Sequence, residues 1–229
     1  MMGNGASKPI LCIGIILDGN RRWAKEHNLP QLEGHRRGFE NLKSAARWVR
    51  DRNVPHLVVY AFSTENWKRS EEEIAYLMDI FRGAIRESGD ELGKEGVRTR
   101  FIGQRERFAQ DIQDGMRETE EKTKDNTRMT LWICLSYGSR AEITAAAKAA
   151  AADGEITEES LRAHMWSADM PDPDIIIRTS GEHRLSNFLL WQAAYSEFFF
   201  IKPHWPDFDE KALDGVLAEF ASRERRNGK

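Results

Sequence analysis

Short apolar runs, each closed by a polar segment and separated by stretches of helical periodicity, recur along this 229-residue chain. Residues 10–17 are continuously apolar apart from Gly14 and stop at Asp18-Gly19-Asn20, a turn signal. Runs at 57–62, 97–102, 129–135, 175–178 and 198–201 read as further strands. Between them, Phe39, Leu42, Ala45, Ala46 and Val49 recur at three- and four-residue steps, the pattern of a helix with one buried face. Ser70 to Glu73 reads as a capping box, in which Ser70 caps and Glu73 reaches back. It opens a long helix carrying Ile74, Leu77, Met78, Phe81 and Ile85 on one side. A charged stretch at 106–124 predicts a solvated helix, and the alanine-rich 141–152 a helix ended by Asp153-Gly154. Residues 157–166 predict a short helix, and Pro171-Asp172-Pro173 an extended entry into the next strand. Asp207 to Glu210 reads as a second capping box before the last helix.

Strands alternating with helices imply right-handed crossovers and an α/β fold: a central six-stranded, mainly parallel sheet flanked by helices. No linker, repeat or low-complexity segment interrupts the pattern, so residues 1–229 are expected to form a single domain, with 1–9 and 224–229 flexible. Ligands in such sheets sit beyond the carboxyl ends of the strands. The polar segments 18–23, 63–69, 137–140 and 179–186 each follow a predicted strand, so four strand ends are expected to converge on one rim.

Charge narrows the ligand class. The net charge is −3 from 34 basic and 37 acidic residues, so no global field favours nucleic acid, and anion recognition must be local. Cys12 and Cys134 lie inside apolar runs and read as small core residues, in keeping with a reducing cytoplasm. The longest apolar run is far short of the ~20 residues that span a bilayer, and the first eight residues hold no hydrophobic signal core. The expectation is a soluble cytoplasmic protein.

The rim carries Arg22, Arg69, Arg178 and Arg184, with His35 and His183 near in sequence. Arginine forks match phosphate oxygens in two-point contacts, although singly each could be a surface ion-pair former. Asp18 beside these arginines would repel a diphosphate unless a cation lay between them. Mg2+ fits that need, because it binds one or two carboxylates together with substrate phosphates; a turn-forming or capping aspartate is the alternative. No G-x-x-x-x-G-K-[ST] loop, G-x-G-x-x-G fingerprint or D-D-x-x-D signature occurs, so the phosphate site is built another way.

Three long blocks carry a family resemblance. Asp18-Gly19-Asn20-Arg21-Arg22-Trp23-Ala24 with Gly34-His35 is the first. Phe62-Ser63-Thr64-Glu65-Asn66-Trp67-Lys68-Arg69 is the second. Arg178-Thr179-Ser180-Gly181-Glu182-His183-Arg184-Leu185-Ser186-Asn187-Phe188, continued by Trp191-Gln192 up to Glu197, is the third. Together they resemble the cis-prenyltransferases, most closely the bacterial undecaprenyl diphosphate synthases.

The resemblance implies a homodimer and an apolar tunnel between the sheet and two helices, with Ile74, Leu77, Met78, Phe81 and Ile85 as candidates for one wall. It implies that isopentenyl diphosphate is condensed onto an allylic diphosphate with Mg2+, giving a long cis-polyprenyl product that could bring the enzyme to the inner membrane face. Asp18 and Asn66 would be catalytic, with Asp18, His183 and Glu197 around the metal and Glu197 acting across the dimer interface. Gly19, Asn20, Arg21, Arg22, Trp23, His35, Ser63, Thr64, Glu65, Trp67 and Arg69 would surround substrate, and Arg178, Arg184, Leu185 and Ser186 would serve isopentenyl diphosphate. A neutral amide is a poor base, so Asn66 is read as an orienting group; Trp23 and Trp67 have a purely structural alternative as core aromatics. Cys12, Arg21, Gln31 and Ser70 depart from the family's usual histidine, glycine, arginine and proline. Chain length stays open, with a short-chain or branching synthase as the rival enzyme. A non-catalytic partner subunit or a phospho-ligand binding domain is the rival from another class.

Overall fold

The computed structural model describes residues 9–223. All six expected strands form: β1 (Cys12–Ile16), β2 (His56–Ser63), β3 (Val97–Ile102), β4 (Met129–Tyr137), β5 (Ile175–Arg178) and β6 (Glu197–Phe200). They make one sheet in the order β3-β4-β2-β1-β5-β6, and every neighbouring pair is parallel. The expectation of flexible ends falls, apart from residue 9, outside the described residues.

The helices are α1 (Asn20–Glu26), α2 (Gln31–Asp51), α3 (Glu71–Glu87), α4 (Gln110–Thr123), α5 (Ser139–Asp153), α6 (Glu158–Ala163) and α7 (Glu210–Ser222). Side chains alternate across the pleat, so the central strands, covered on both faces, are almost wholly apolar. Ile13, Ile15, Leu57, Val59, Leu131, Ile133, Ile175 and Ile177 face one core with the buried stripes of α2, α3, α4 and α7. Cys12, Val58, Tyr60, Trp132, Cys134 and Ile176 face another, closed by Met170, Phe188, Leu189 and Ala193. Each fully buried Ile, Leu or Phe contributes about 1.5–3 kcal/mol. Both thiols are buried and unpaired, and burial pushes the Cys12 thiol up.

Two expectations need correction. Helix α4 is not simply solvated: Ile112, Met116, Thr119 and Thr123 are buried, and Arg105 folds back to pair with Glu120. The second capping box is not made either. Asp209 caps α7 by accepting from Ala212 N, whereas Asp207 accepts from Trp23 Nε1 at 2.7 Å. The competing tertiary bond to Trp23 takes the side chain that local sequence assigned to the helix.

Near the rim the β2–β4 register shifts between Tyr60 and Phe62 and again between Phe62 and Ser63. This irregularity turns Phe62 into the same core as Leu57 and Val59 and frees Ser63 to begin a turn. Helices α1 and α2 cross so closely that a Cβ on Gly34 would lie 2.0 Å from Asn20 O. We expect Gly34→Ala to destabilise the protein by about 1–3 kcal/mol, read as a lower urea midpoint, and to weaken anion binding by lifting α1 off α2.

Candidate active site

The carboxyl ends of β1, β2 and β5 open into two cavities of about 530 and 540 Å³ that share Leu17, Asp18, Asn20, His35 and Arg69 as a common wall. The first is lined further by Tyr60, Ser63, Glu65, Asn66, Arg178 and Ser186, the second by Gly19, Arg21, Arg22, Lys25, Glu182 and Arg184. Three of the four expected segments thus meet. The fourth, 137–140, lies behind them: Tyr60 Oη donates to Tyr137 O and Ser186 O, and Asn187 Oδ1 accepts from Arg140 N.

At the centre is a pair formed by the segment just after β1 and the last residue of the adjacent β5. Arg178 Nη2 donates to Asp18 Oδ2 at 2.7 Å, and its Nη1 holds Ser186 Oγ at 2.8 Å and Arg184 O at 2.6 Å. The Arg178 side chain is 5% exposed. Arg22 Nη2 reaches the same Asp18 oxygen at 3.1 Å. Burial opposes the Asp18 charge, but the hydrogen bonds and attraction of Arg178 and Arg22 outweigh it and hold the carboxyl below its usual value. Both cations use Oδ2, and among the described residues none donates to Oδ1.

His35, Arg69 and Glu73 form a second cluster. Glu73 Oε1 accepts from His35 Nε2 at 3.1 Å and from Arg69 Nη1 at 3.0 Å. Ser70 Oγ does cap Glu73 N at 3.3 Å. The Glu73 carboxylate, however, does not reach back as the sequence motif suggested. Burial lowers the His35 pKa despite Glu73, which favours a neutral ring donating its Nε2 proton. Glu73→Leu is therefore expected to leave Arg69 and His35 unanchored, raising KM about tenfold or more, with Glu73→Gln milder. Steady-state kinetics on both variants checks this.

Ser63 and Asn66 lock a 3₁₀ turn at Thr64–Lys68, Ser63 N donating to Asn66 Oδ1 at 3.0 Å. The Asn66 oxygen is thereby occupied, which suits the orienting reading. Trp67 packs against Phe62 and Phe108, donates to Ser136 Oγ at 2.9 Å and lies under Arg107. Trp23 stacks on His27. Neither indole lines either of these two cavities, and neither do Thr64 and Leu185; Thr64 bonds Glu65, and Leu185 packs against the second core.

The expected metal trio is not assembled within one chain. His183 stacks on Phe200 at 4.8 Å, outside both cavities. Glu197 starts β6, in register with Ile175, whereas Arg178 pairs with Phe200 at the other end. That separation is about 10 Å along the strand, and the Glu197 carboxylate accepts from Arg223 at 2.8 Å. Among the described residues no group of three or more His, Cys, Asp or Glu is placed to hold a metal ion. Asp18 with its Oδ1 fits a cation bridged by substrate phosphates, not one caged by protein ligands.

The loop after β5 is strained. Ser180, Ser186, Asn187 and Leu189 account for four of the seven non-glycine residues at positive φ among those described, a clustering typical of functional loops. His204 holds it from behind, Nδ1 against Ser180 Oγ at 2.5 Å and Nε2 against Glu26 Oε1 at 3.0 Å. Sequence reasoning missed Glu73, Asn187 and His204; only the capping motif at Glu73 and the length of the third block hinted at the first two.

Below the shared wall lies an apolar cavity of about 60 Å³ lined in part by Leu17, Phe39, Ala61, Leu77 and Phe81. Of the proposed wall, Leu77 and Phe81 line it, and Ile85 is buried in the core. Among the described residues no helix is long and apolar enough to cross a membrane.

The strand ends of this α/β sheet thus gather arginines around one carboxylate above an apolar floor. The family profile described as "Putative undecaprenyl diphosphate synthase" matches residues 16–228, and the chain belongs to this family of isoprenyl transferases. It is 49% identical over 224 residues to "Isoprenyl transferase 2" of Bradyrhizobium diazoefficiens, covering 94% of this chain and 89% of that one. Its fold matches the crystal structure of lavandulyl diphosphate synthase from Lavandula x intermedia in complex with dimethylallyl diphosphate, with TM-score 0.90, 31% identity and 96% and 98% coverage. It also matches a probable undecaprenyl diphosphate synthase from Campylobacter jejuni, with TM-score 0.84, 30% identity and 97% and 100% coverage.

Proposed function

We propose that the protein condenses isopentenyl diphosphate onto an allylic diphosphate, farnesyl diphosphate by preference, to give a long cis-polyprenyl diphosphate of the undecaprenyl type that precedes a cell-wall lipid carrier. One observation carries this reading: two arginine-lined cavities share one wall that holds Asp18, above an apolar floor. Two diphosphates held side by side, with their hydrocarbon ends together, are what a prenyl condensation needs. The allylic C–O bond breaks, its electrons leaving with diphosphate. The alkene carbon of isopentenyl diphosphate attacks the resulting cationic carbon, and loss of a proton to diphosphate or water forms the new double bond.

Arg22, Arg69 and Arg21 bind and orient the allylic diphosphate, while Arg178, Arg184 and Ser186 hold the other. Asn66, fixed by Ser63, and His35, fixed by Glu73, orient the reacting ends. Asp18 would help hold a magnesium ion, which would supply neutralisation of the departing diphosphate. Glu197 and His183 enter that environment only if a second copy of the chain presents them, so the active form is proposed as a homodimer, working in the cytoplasm and touching the inner membrane face when product leaves.

A short-chain product is the second reading, favoured by the cavity of about 60 Å³, smaller than the ~150 Å³ that accommodates a benzene ring. A long chain requires α3 to part from the sheet. Incubating the protein with farnesyl diphosphate, labelled isopentenyl diphosphate and Mg2+ separates the readings. Long product lost with EDTA supports the first, and arrest after one or two additions supports the second. No product from folded protein with farnesyl, geranyl or dimethylallyl diphosphate would overturn both.

A further inference from the structure

Glu182 occupies an unusual place. Its Oε1 lies 2.7 Å from Arg22 Nη1, and its Oε2 contacts Arg184 Nη1. One carboxylate thus spans two arginines, one carried by α1 and the other by the strained loop after β5, and all three side chains line the second cavity. Arg22 is engaged again by Asp18 at 3.1 Å. Both arginines of this pair are therefore already engaged by carboxylates, with the side chain of Glu182 32% exposed.

We propose that Glu182 is a built-in counter-anion, standing where a diphosphate would bind and giving way to it, so that it limits the affinity of the site for diphosphate. The inference rests on the function proposed above and adds a residue that sets how tightly the site holds substrate and released diphosphate. Each carboxylate oxygen takes a donor that a phosphate oxygen would otherwise use, that of Arg22 on the allylic side and that of Arg184 on the isopentenyl side. Ion pairs exposed to this degree are individually weak, so a ligand of higher charge displaces the carboxylate readily. Without such a competitor, the two arginines would hold each released diphosphate longer. Glu182 could instead serve to orient the arginines, and the two roles predict opposite signs: losing a competitor tightens binding, and losing an orienting group weakens it.

The test is calorimetric titration of inorganic diphosphate into the full-length protein and its variants. Glu182→Gln keeps the shape and removes the charge; we expect its Kd for diphosphate to fall about tenfold, two weak pairs being released at once. Glu182→Ala should shift in the same direction, which guards against a peculiarity of the amide. Glu33→Gln removes the same charge from a carboxylate paired with Arg36 on α2, and should change Kd by less than about twofold. In turnover assays the Glu182 variants should show a lower KM and stronger inhibition by added diphosphate. Unchanged or weaker binding in both Glu182 variants, or an equal gain in Glu33→Gln, overturns the inference and leaves the proposed function standing. Failure of the unmodified protein to bind diphosphate would count against the proposed function itself.

Discussion

Asp18→Ala is expected to lower turnover about 10³-fold and at the same time to destabilise the fold by roughly 3 kcal/mol. The two losses have different origins. Activity falls because the carboxylate bonded to Arg178 is gone from the wall shared by both cavities. Stability falls because Arg178, almost fully buried, keeps its charge and loses its partner, while its Nε already lacks one. Asp18→Asn separates the effects: the amide oxygen still accepts from Arg178, so the urea midpoint should recover in large part while turnover stays low. The pH dependence follows from the lowered Asp18 pKa. The ionised pair stabilises the native state fully above the unfolded aspartate value of about 4. That contribution disappears as pH falls through the lower folded value. In Asp18→Ala this part of the acid destabilisation should be missing, as denaturant melts at stepped pH would show.

Glu142→Ala should cost more stability than any other single change proposed here, roughly 4 kcal/mol or more. Glu142 is fully buried. It accepts from Tyr137 Oη, from Ser167 N at 2.9 Å, from Ser167 Oγ at 2.7 Å and from Gln192 Nε2 at 2.9 Å. Its place in the first turn of α5 lets the helix dipole offset the charge. Alanine would strand Tyr137 Oη and the two Ser167 donors, each costing about 1–3 kcal/mol when buried and unpaired, while Gln192 Nε2 keeps Ser167 Oγ. Against a total stability of about 5–15 kcal/mol, a large part of the protein would be unfolded near 37 °C. Tryptophan-fluorescence melts would detect this, with Glu142→Gln intermediate because one acceptor oxygen survives.

Most of the strands were legible because they are apolar on both faces, a pattern that suits a covered parallel sheet; the edge strand β3, with Arg98 and Arg100 on one face, alternates instead. The rim was legible for a related reason: polar residues that follow such strands must emerge where the sheet ends. Asp18, Ser63 and Arg178 accordingly lie together at that rim. Glu73 and Asp207 show the limit. Both carried sound capping motifs, and in both the side chain was taken by residues distant in sequence, His35 and Trp23. A local motif offers one hydrogen bond, and a tertiary partner at closer range or with opposite charge displaces it. Glu142 gave no signal, since a buried carboxylate is recognised only by the donors that surround it.

The sequence by itself determined the order and type of the elements and which strand ends carry cations, because periodicity and turn chemistry act over a few residues. Only the tertiary structure decided that Asp18 meets Arg178 across β1 and β5, that Glu182 bridges two arginines, and that Glu197 lies at the far end of β6. Those facts depend on strand order and register, which are set by how the whole core packs and leave no mark on any short stretch of chain.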